Sequence, residues 1–200
     1  MTPTDGPAHA AHRLLTDLGA GRLDHPGGTL LAHLGRVRDR LDQWGARPAL
    51  RLAGLCHATY GTGGFAPVLL PPADRRRLRD VIGTEAEAIV FLYASCDRQA
   101  TYASLTTTPT GESAAPDRRT APTGRTIRFH DRFTGRTGIP GPRRSRDFAE
   151  LTAANELDIA CVDGAFRERW GADLMGLFTR LRPWLTDAAW QACEKELGGV

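Results

Sequence analysis

An all-α bundle with a small inserted β-hairpin is the fold class this sequence predicts, and three observations predict it. After Gly28, the apolar residues Leu30, Leu34, Val37, Leu41 and Trp44 recur at helical spacing, one stripe of an amphipathic helix. The next segment, 49–59, is apolar on nearly every side, as suits a helix buried among others. Amphipathic segments then recur to the end of the chain, whereas strand-like alternation is confined to a short stretch beginning at Thr126.

The elements follow in order. Residues 1–7 read as frayed, and 8–18 as a short helix with Leu14, Leu15 and Leu18 inward. Pro26-Gly27-Gly28-Thr29 is a turn ending in an N-cap, because the Thr29 hydroxyl can accept from the first free amides of a helix running to Gly45. A turn to Pro48 separates it from the 49–59 helix, which Tyr60 and the following glycines end. Residues 61–72 form a loop, and 74–82 a basic helix. Thr84 caps another helix, 85–97, with Glu87 three residues on as the partner in a capping box. No periodicity is visible over 99–124, which is expected to be an irregular loop. Thr126 to Phe129 with Phe133-Thr134-Gly135 and Ile139 makes the hairpin, so that 99–145 forms an insertion in a single domain spanning 1–200. Helices are expected at 145–162, 167–181 and 187–197.

Composition narrows the function classes. At 200 residues, 41% hydrophobic and 24% charged, the chain is that of an ordinary globular domain, and no stretch suits a membrane span or a signal peptide, so a cytoplasmic protein with no membrane partner is expected. The net charge of +3 rests almost wholly on arginine, Lys195 being the single lysine, as a GC-rich bacterial coding sequence would give. Arg75-Arg76-Arg77 and Arg143-Arg144 read as solvated helix faces, and without interleaved aromatics no nucleic-acid partner is expected. The four cysteines form no CxxC pair, and Cys56, Cys96 and Cys161 read as core thiols.

The chemistry-bearing residues lie on the central helices. His33 stands beside the apolar stripe, His57 near the end of the most buried helix, and Asn155-Glu156-Leu157-Asp158 on a third. Histidine and carboxylate on facing helices is how a bundle holds a metal, although a histidine on an apolar helix is more often a hydrogen-bonded core residue. His25 precedes the His33 helix, Tyr60 follows His57 by three, and Asp97-Arg98 closes a core helix; these, with Glu156, are the candidate catalytic groups. Asp131 and Arg132, at the hairpin tip, rank below them. One cavity is expected to gather His25, His33, His57, Tyr60, Asp97 and Asp158, with Arg98 at its rim.

Leu30 to Val37 around His33, followed by Leu52-Ala53-Gly54-Leu55-Cys56-His57, resembles the start of an HD-domain protein. The wider pattern, with Asp131 to Gly135 and Ala154 to Asp158, is similar to an uncharacterised bacterial HD-like family. The resemblance covers about half of the chain. It implies a helical core that binds one or two metals, most often for phosphohydrolysis and in a smaller branch for di-iron oxygenation. By position it makes His33, His57 and Asp158 the metal ligands. Ala58 occupies the place of the doublet's aspartate, which leaves three ligands and implies one divalent metal (iron, manganese or zinc) or none. The expected function is therefore hydrolysis of a small phosphorylated metabolite. The alternatives are an HD-type iron oxygenase and a non-catalytic helical module that binds a small molecule.

Overall fold

A computed structural model describes residues 6–105 and 126–199. The fold is all-α: eight α-helices among the described residues, with two short antiparallel strand pairs. Helix α1 (Pro7–Asp17) buries Ala11, Leu14 and Leu15. The chain then forms a ribbon of β1 (Asp24–His25) and β2 (Gly28–Thr29), paired Asp24 to Thr29 and His25 to Gly28, where the sequence suggested a turn alone. Gly27 and Gly28, at φ 75° and 127°, make that tight reversal possible.

Thr29 caps α2 (Leu30–Gln43), its hydroxyl accepting from the Ala32 amide at 3.3 Å. Leu30, His33, Leu34, Val37 and Leu41 are buried, the stripe read from the sequence. Gly45 ends the helix at φ 72°, and the Ala46 amide reaches back to the Leu41 carbonyl at 2.9 Å, a Schellman closure. Pro48 opens α3 (Pro48–Cys56), which packs on α2. Gly54 permits that approach, since a Cβ there would lie 2.5 Å from Leu41 Cδ1. The helix stops before residue 59, so His57 sits at its C-terminal cap, and Gly61 turns the chain at φ 70°.

Helix α4 (Arg75–Ala94) is broken at Gly83 (φ 83°, ψ 161°), so two helical pieces meet where Thr84 suggested a cap. The capping-box role of Glu87 is corrected. Its side chain turns into the core, where Tyr60 Oη donates at 3.0 Å and Arg75 Nε and Nη2 at 2.7 and 2.8 Å. A fully buried phenol needs an acceptor, and that need outweighs a local cap. Replacing Glu87 with alanine is expected to cost about 1 to 3 kcal/mol by stranding the Tyr60 hydroxyl. Urea unfolding checks this, and an unchanged midpoint would contradict it.

Helix α5 (Arg98–Ala103) occupies the start of the segment expected to be irregular; residues 106–124 of that segment lie outside the described residues, as do 1–5 of the expected frayed N-terminus. The expected hairpin is present as β3 (Phe129–His130) paired with β4 (Thr137–Gly138). Asp131 shapes its tip by accepting from the Phe133 and Thr134 amides at 2.8 and 3.2 Å. Arg132 Nε donates to the Ala94 carbonyl at 2.7 Å, which docks the hairpin on the end of α4.

Helix α6 (Pro142–Val162) begins three residues before the expected start, with Pro142 in the first turn. It is the middle of the domain: every residue from Asp147 to Asp158 is buried, and α2, α3, α4, α7 and α8 all pack on it. Helix α7 (Gly164–Leu181) starts at the Asp163 cap, and α8 (Asp187–Leu197) at the Thr186 cap. Cys56, Cys96 and Cys193 are buried, but Cys161 is exposed, because the last turn of α6 leaves the core. Burial pushes the Cys56 thiol up to about 12 and Cys96 to about 11, so neither is a nucleophile at neutral pH. No described helix is long and apolar enough to cross a membrane.

Candidate functional site

Three histidines from three elements form a column. His25, held by the β1–β2 ribbon, stacks on His33 of α2 with ring centroids 4.0 Å apart. His57, at the end of α3, meets His33 edge-on at 5.2 Å, and Tyr93 of α4 meets His57 at 5.5 Å. Phe65 covers the His25 end at 5.4 Å. His33 and His57 are buried.

A hydrogen-bonded relay runs beside the column. Arg36 Nε and Nη2 each donate at 2.9 Å to Asp158, which also accepts from His33 Nδ1 at 2.7 Å. The opposite nitrogen, His33 Nε2, lies 3.1 Å from Asn155 Oδ1. The Asn155 amide is oriented by its other bond, Nδ2 to Glu156 Oε1 at 3.2 Å, so that its oxygen faces the imidazole. Glu156 Oε1 also accepts from Arg98 Nη1 at 2.7 Å, and Arg98 Nη2 donates to Tyr93 Oη at 3.0 Å. His33 is thus engaged at both ring nitrogens, between Asp158 and Asn155. Helix geometry sets the spacing: Asn155 and Asp158 are three apart on α6, as His33 and Arg36 are on α2, so each pair shares a face.

Burial dominates the electrostatics. It lowers His57 to about 3, and the neighbouring His33 adds to the effect. His25 falls to about 4 for the same two reasons in the same order. Both rings are thus neutral at physiological pH. Burial works against ionisation of Asp158, yet the hydrogen bonds from His33 and Arg36 outweigh it and hold the carboxyl below its usual range. Burial likewise opposes the charge on Arg98, and Tyr93 and Glu156 overrule it, so Arg98 stays charged. His57 Nδ1 donates to the Gly54 carbonyl at 2.8 Å, which fixes the tautomer with the lone pair on Nε2.

The structure gathers His25, His33, His57 and Asp158, and the relay joins Glu156 and Arg98 to them. Two expectations are corrected. Tyr60 points away, to Glu87, and Asp97 caps α5 by accepting from the Ala100 amide at 3.0 Å. Arg98 is not at a rim: its side chain is 18% exposed and lies under Gly63 and Gly64, where a Cβ at Gly64 would meet Nη1 at 3.0 Å. The residues that the resemblance makes metal ligands are otherwise engaged here. His33, His57 and Asp158 are neighbours, but His33 uses both nitrogens and Asp158 is engaged by His33 and Arg36. Among the described residues no group of three or more His, Cys, Asp and Glu is arranged to hold a metal ion. These residues as placed do not fit a metal centre.

Sequence reasoning missed Arg36 and Tyr93. Arg36 had a usable signal, one helical turn after His33, obscured by the abundance of arginine. Two open surface hollows of about 410 and 420 Å³ lie against the outer sides of α2 and α3; Arg36 borders the second, and neither is lined by the three column histidines.

Residues 14–98 match the family model of a domain of unknown function, DUF6817. That span holds His25, His33, His57, Tyr93 and Arg98 but ends before the α6 half of the relay. No curated protein and no solved structure matches the chain.

Proposed function

We propose that this chain is a helical domain that binds a small molecule on an HD-like plan, with the polar relay standing where a metal centre would be. One observation carries the reading: the Asp158 carboxylate is saturated by His33 and Arg36, while Ala58 supplies no second carboxylate beside His57. The relay residues come from α2, α4, α5 and α6, and such convergence of polar groups between helices is the usual setting of a ligand site.

A metal-dependent phosphohydrolase is the second reading. The His57 tautomer favours it, because a histidine that donates from Nδ1 to a carbonyl presents Nε2 as metal-bound histidines do. Elemental analysis of the purified protein, as isolated and after incubation with Fe²⁺, Mn²⁺ or Zn²⁺ followed by desalting, separates the two. Metal well below one equivalent per chain is expected. One retained equivalent that disappears in His57→Ala would establish the hydrolase reading, and two equivalents would bring forward the iron oxygenase.

A further inference from the structure

The β3–β4 ribbon and the start of α6 carry a charge that the rest of the chain does not. Residues 126–146 hold six arginines and one aspartate, a local charge of +5 in a chain whose net charge is +3, so the remaining residues together stand at −2. The lone acid, Asp131, is occupied by the Phe133 and Thr134 amides at the tip. Strand alternation sorts the side chains. Ile127 and Phe129 are buried, so Arg128 and His130 face outward. Phe129 pairs with Gly138 and His130 with Thr137, and the same register carried one residue further sets Ile139 opposite Arg128 on the outer face. Arg143 is paired with Glu85, but among the described residues no acidic side chain pairs with Arg128 or Arg136, and both are exposed.

Apolar surface lies on the same ribbon. Ile139 is 63% exposed, and Phe133 at the tip 37%. Arg132 lies over the Phe133 ring at 4.7 Å, its Nε held by the Ala94 carbonyl. Apolar side chains scattered singly over a surface need no explanation. Two on one short ribbon, beside unpaired arginines, match both attractions of a charged bilayer: apolar burial at the headgroup boundary and the pull of anionic lipid on basic groups.

We infer that the outer face of the β3–β4 ribbon docks on an anionic lipid surface, with Phe133 and Ile139 at the headgroup boundary and Arg128, Arg132 and Arg136 at the lipid phosphates. The contact is peripheral and needs no membrane-crossing helix. It goes beyond the binding-domain reading and does not depend on it. A nucleic acid is the poorer match. Its bases need open ring faces, and Phe133, the exposed phenyl ring of the ribbon, already has Arg132 over it and Phe91 at 5.5 Å. A phosphate backbone also offers nothing to Ile139.

The test is flotation of the full chain with vesicles of phosphatidylcholine alone and of phosphatidylcholine mixed with an equal part of phosphatidylglycerol. Binding to the mixed vesicles that weakens as salt rises, and none to the neutral ones, is expected. Arg128→Ala combined with Arg136→Ala should weaken binding about thirtyfold. The two lysine replacements at those positions keep the charge and should retain most of it. Ile139→Asn should weaken binding about fivefold at unchanged charge. All three positions are exposed, so the melting temperatures of these variants should match the wild type. The inference is overturned by no binding to the mixed vesicles, by equal binding to both kinds, or by unchanged binding in both the double alanine variant and Ile139→Asn. Tighter capture of a single-stranded or duplex oligonucleotide in fluorescence anisotropy, lost in the double alanine variant, would overturn it too and assign the face to nucleic acid.

Discussion

Asp158→Ala is expected to be the most damaging single substitution at the site, costing about 3 to 5 kcal/mol of folding stability. Asp158 is 1% exposed and accepts from His33, itself 1% exposed, and from Arg36. Removing the carboxylate strands the buried His33 donor and takes from Arg36 its carboxylate partner. The effect should exceed that of Arg36→Ala, because Arg36 is 31% exposed and solvent can replace part of its contact. Chemical unfolding of the two variants decides the matter. An Asp158→Ala cost under 1 kcal/mol would mean that the relay contributes little to the fold.

A steep loss of stability on mild acidification is the second large effect expected. His57 titrates at about 3 in the folded chain against 6.5 when free, and His25 at about 4. A group whose folded value is lowered binds more protons when unfolded, so stability rises with pH across the interval between the two values. The contribution of His57 is complete above 6.5 and is lost progressively as pH falls toward 3. The slope for one such proton is about 1.4 kcal/mol per pH unit. His25 acts in the same direction from 6.5 to about 4, less strongly because it is only half-buried. Asp158, held below its usual range, contributes above 3.8, and its share is lost only at still lower pH. Melting temperatures between pH 7 and 4 should therefore fall in the wild type and fall less in His57→Gln, which has no ring to protonate. Equal slopes in the two proteins would show that His57 is not the group responsible.

Much of the helical core was legible because burial and period coincide. Leu30, Leu34, Val37 and Leu41 recur on one face of α2 and are all fully buried. The histidines were legible for the same reason, since each lies on or next to an element whose apolar pattern placed it inside. What escaped were roles decided by distant partners. Glu87 sits at a capping-box spacing, yet a tyrosine 27 residues earlier claims it. Asp158 read as a metal ligand, yet an arginine 122 residues away engages it. Local pattern reports which side chains are inside, whereas the partner of a buried polar group is set by packing between helices. Helix α5 was hidden for a different reason, since it folds from the start of a segment without periodicity.

The bond between His33 and Asp158 spans 125 residues of chain. Joining ends that far apart carries a closure entropy that grows with the logarithm of the loop, so contacts of this kind form late relative to neighbouring helices. Helices α2 and α3, linked by a turn of a few residues, have no such delay. The α2–α3 pair and the α6–α7–α8 segment each have local contacts of their own, and the relay joins the two segments across that long separation. Until they join, His33 lacks the partners it needs, and a nascent chain still short of α6 exposes the apolar surfaces that α6 will cover. The helix that completes the site is thus also the one that links the two halves of the core.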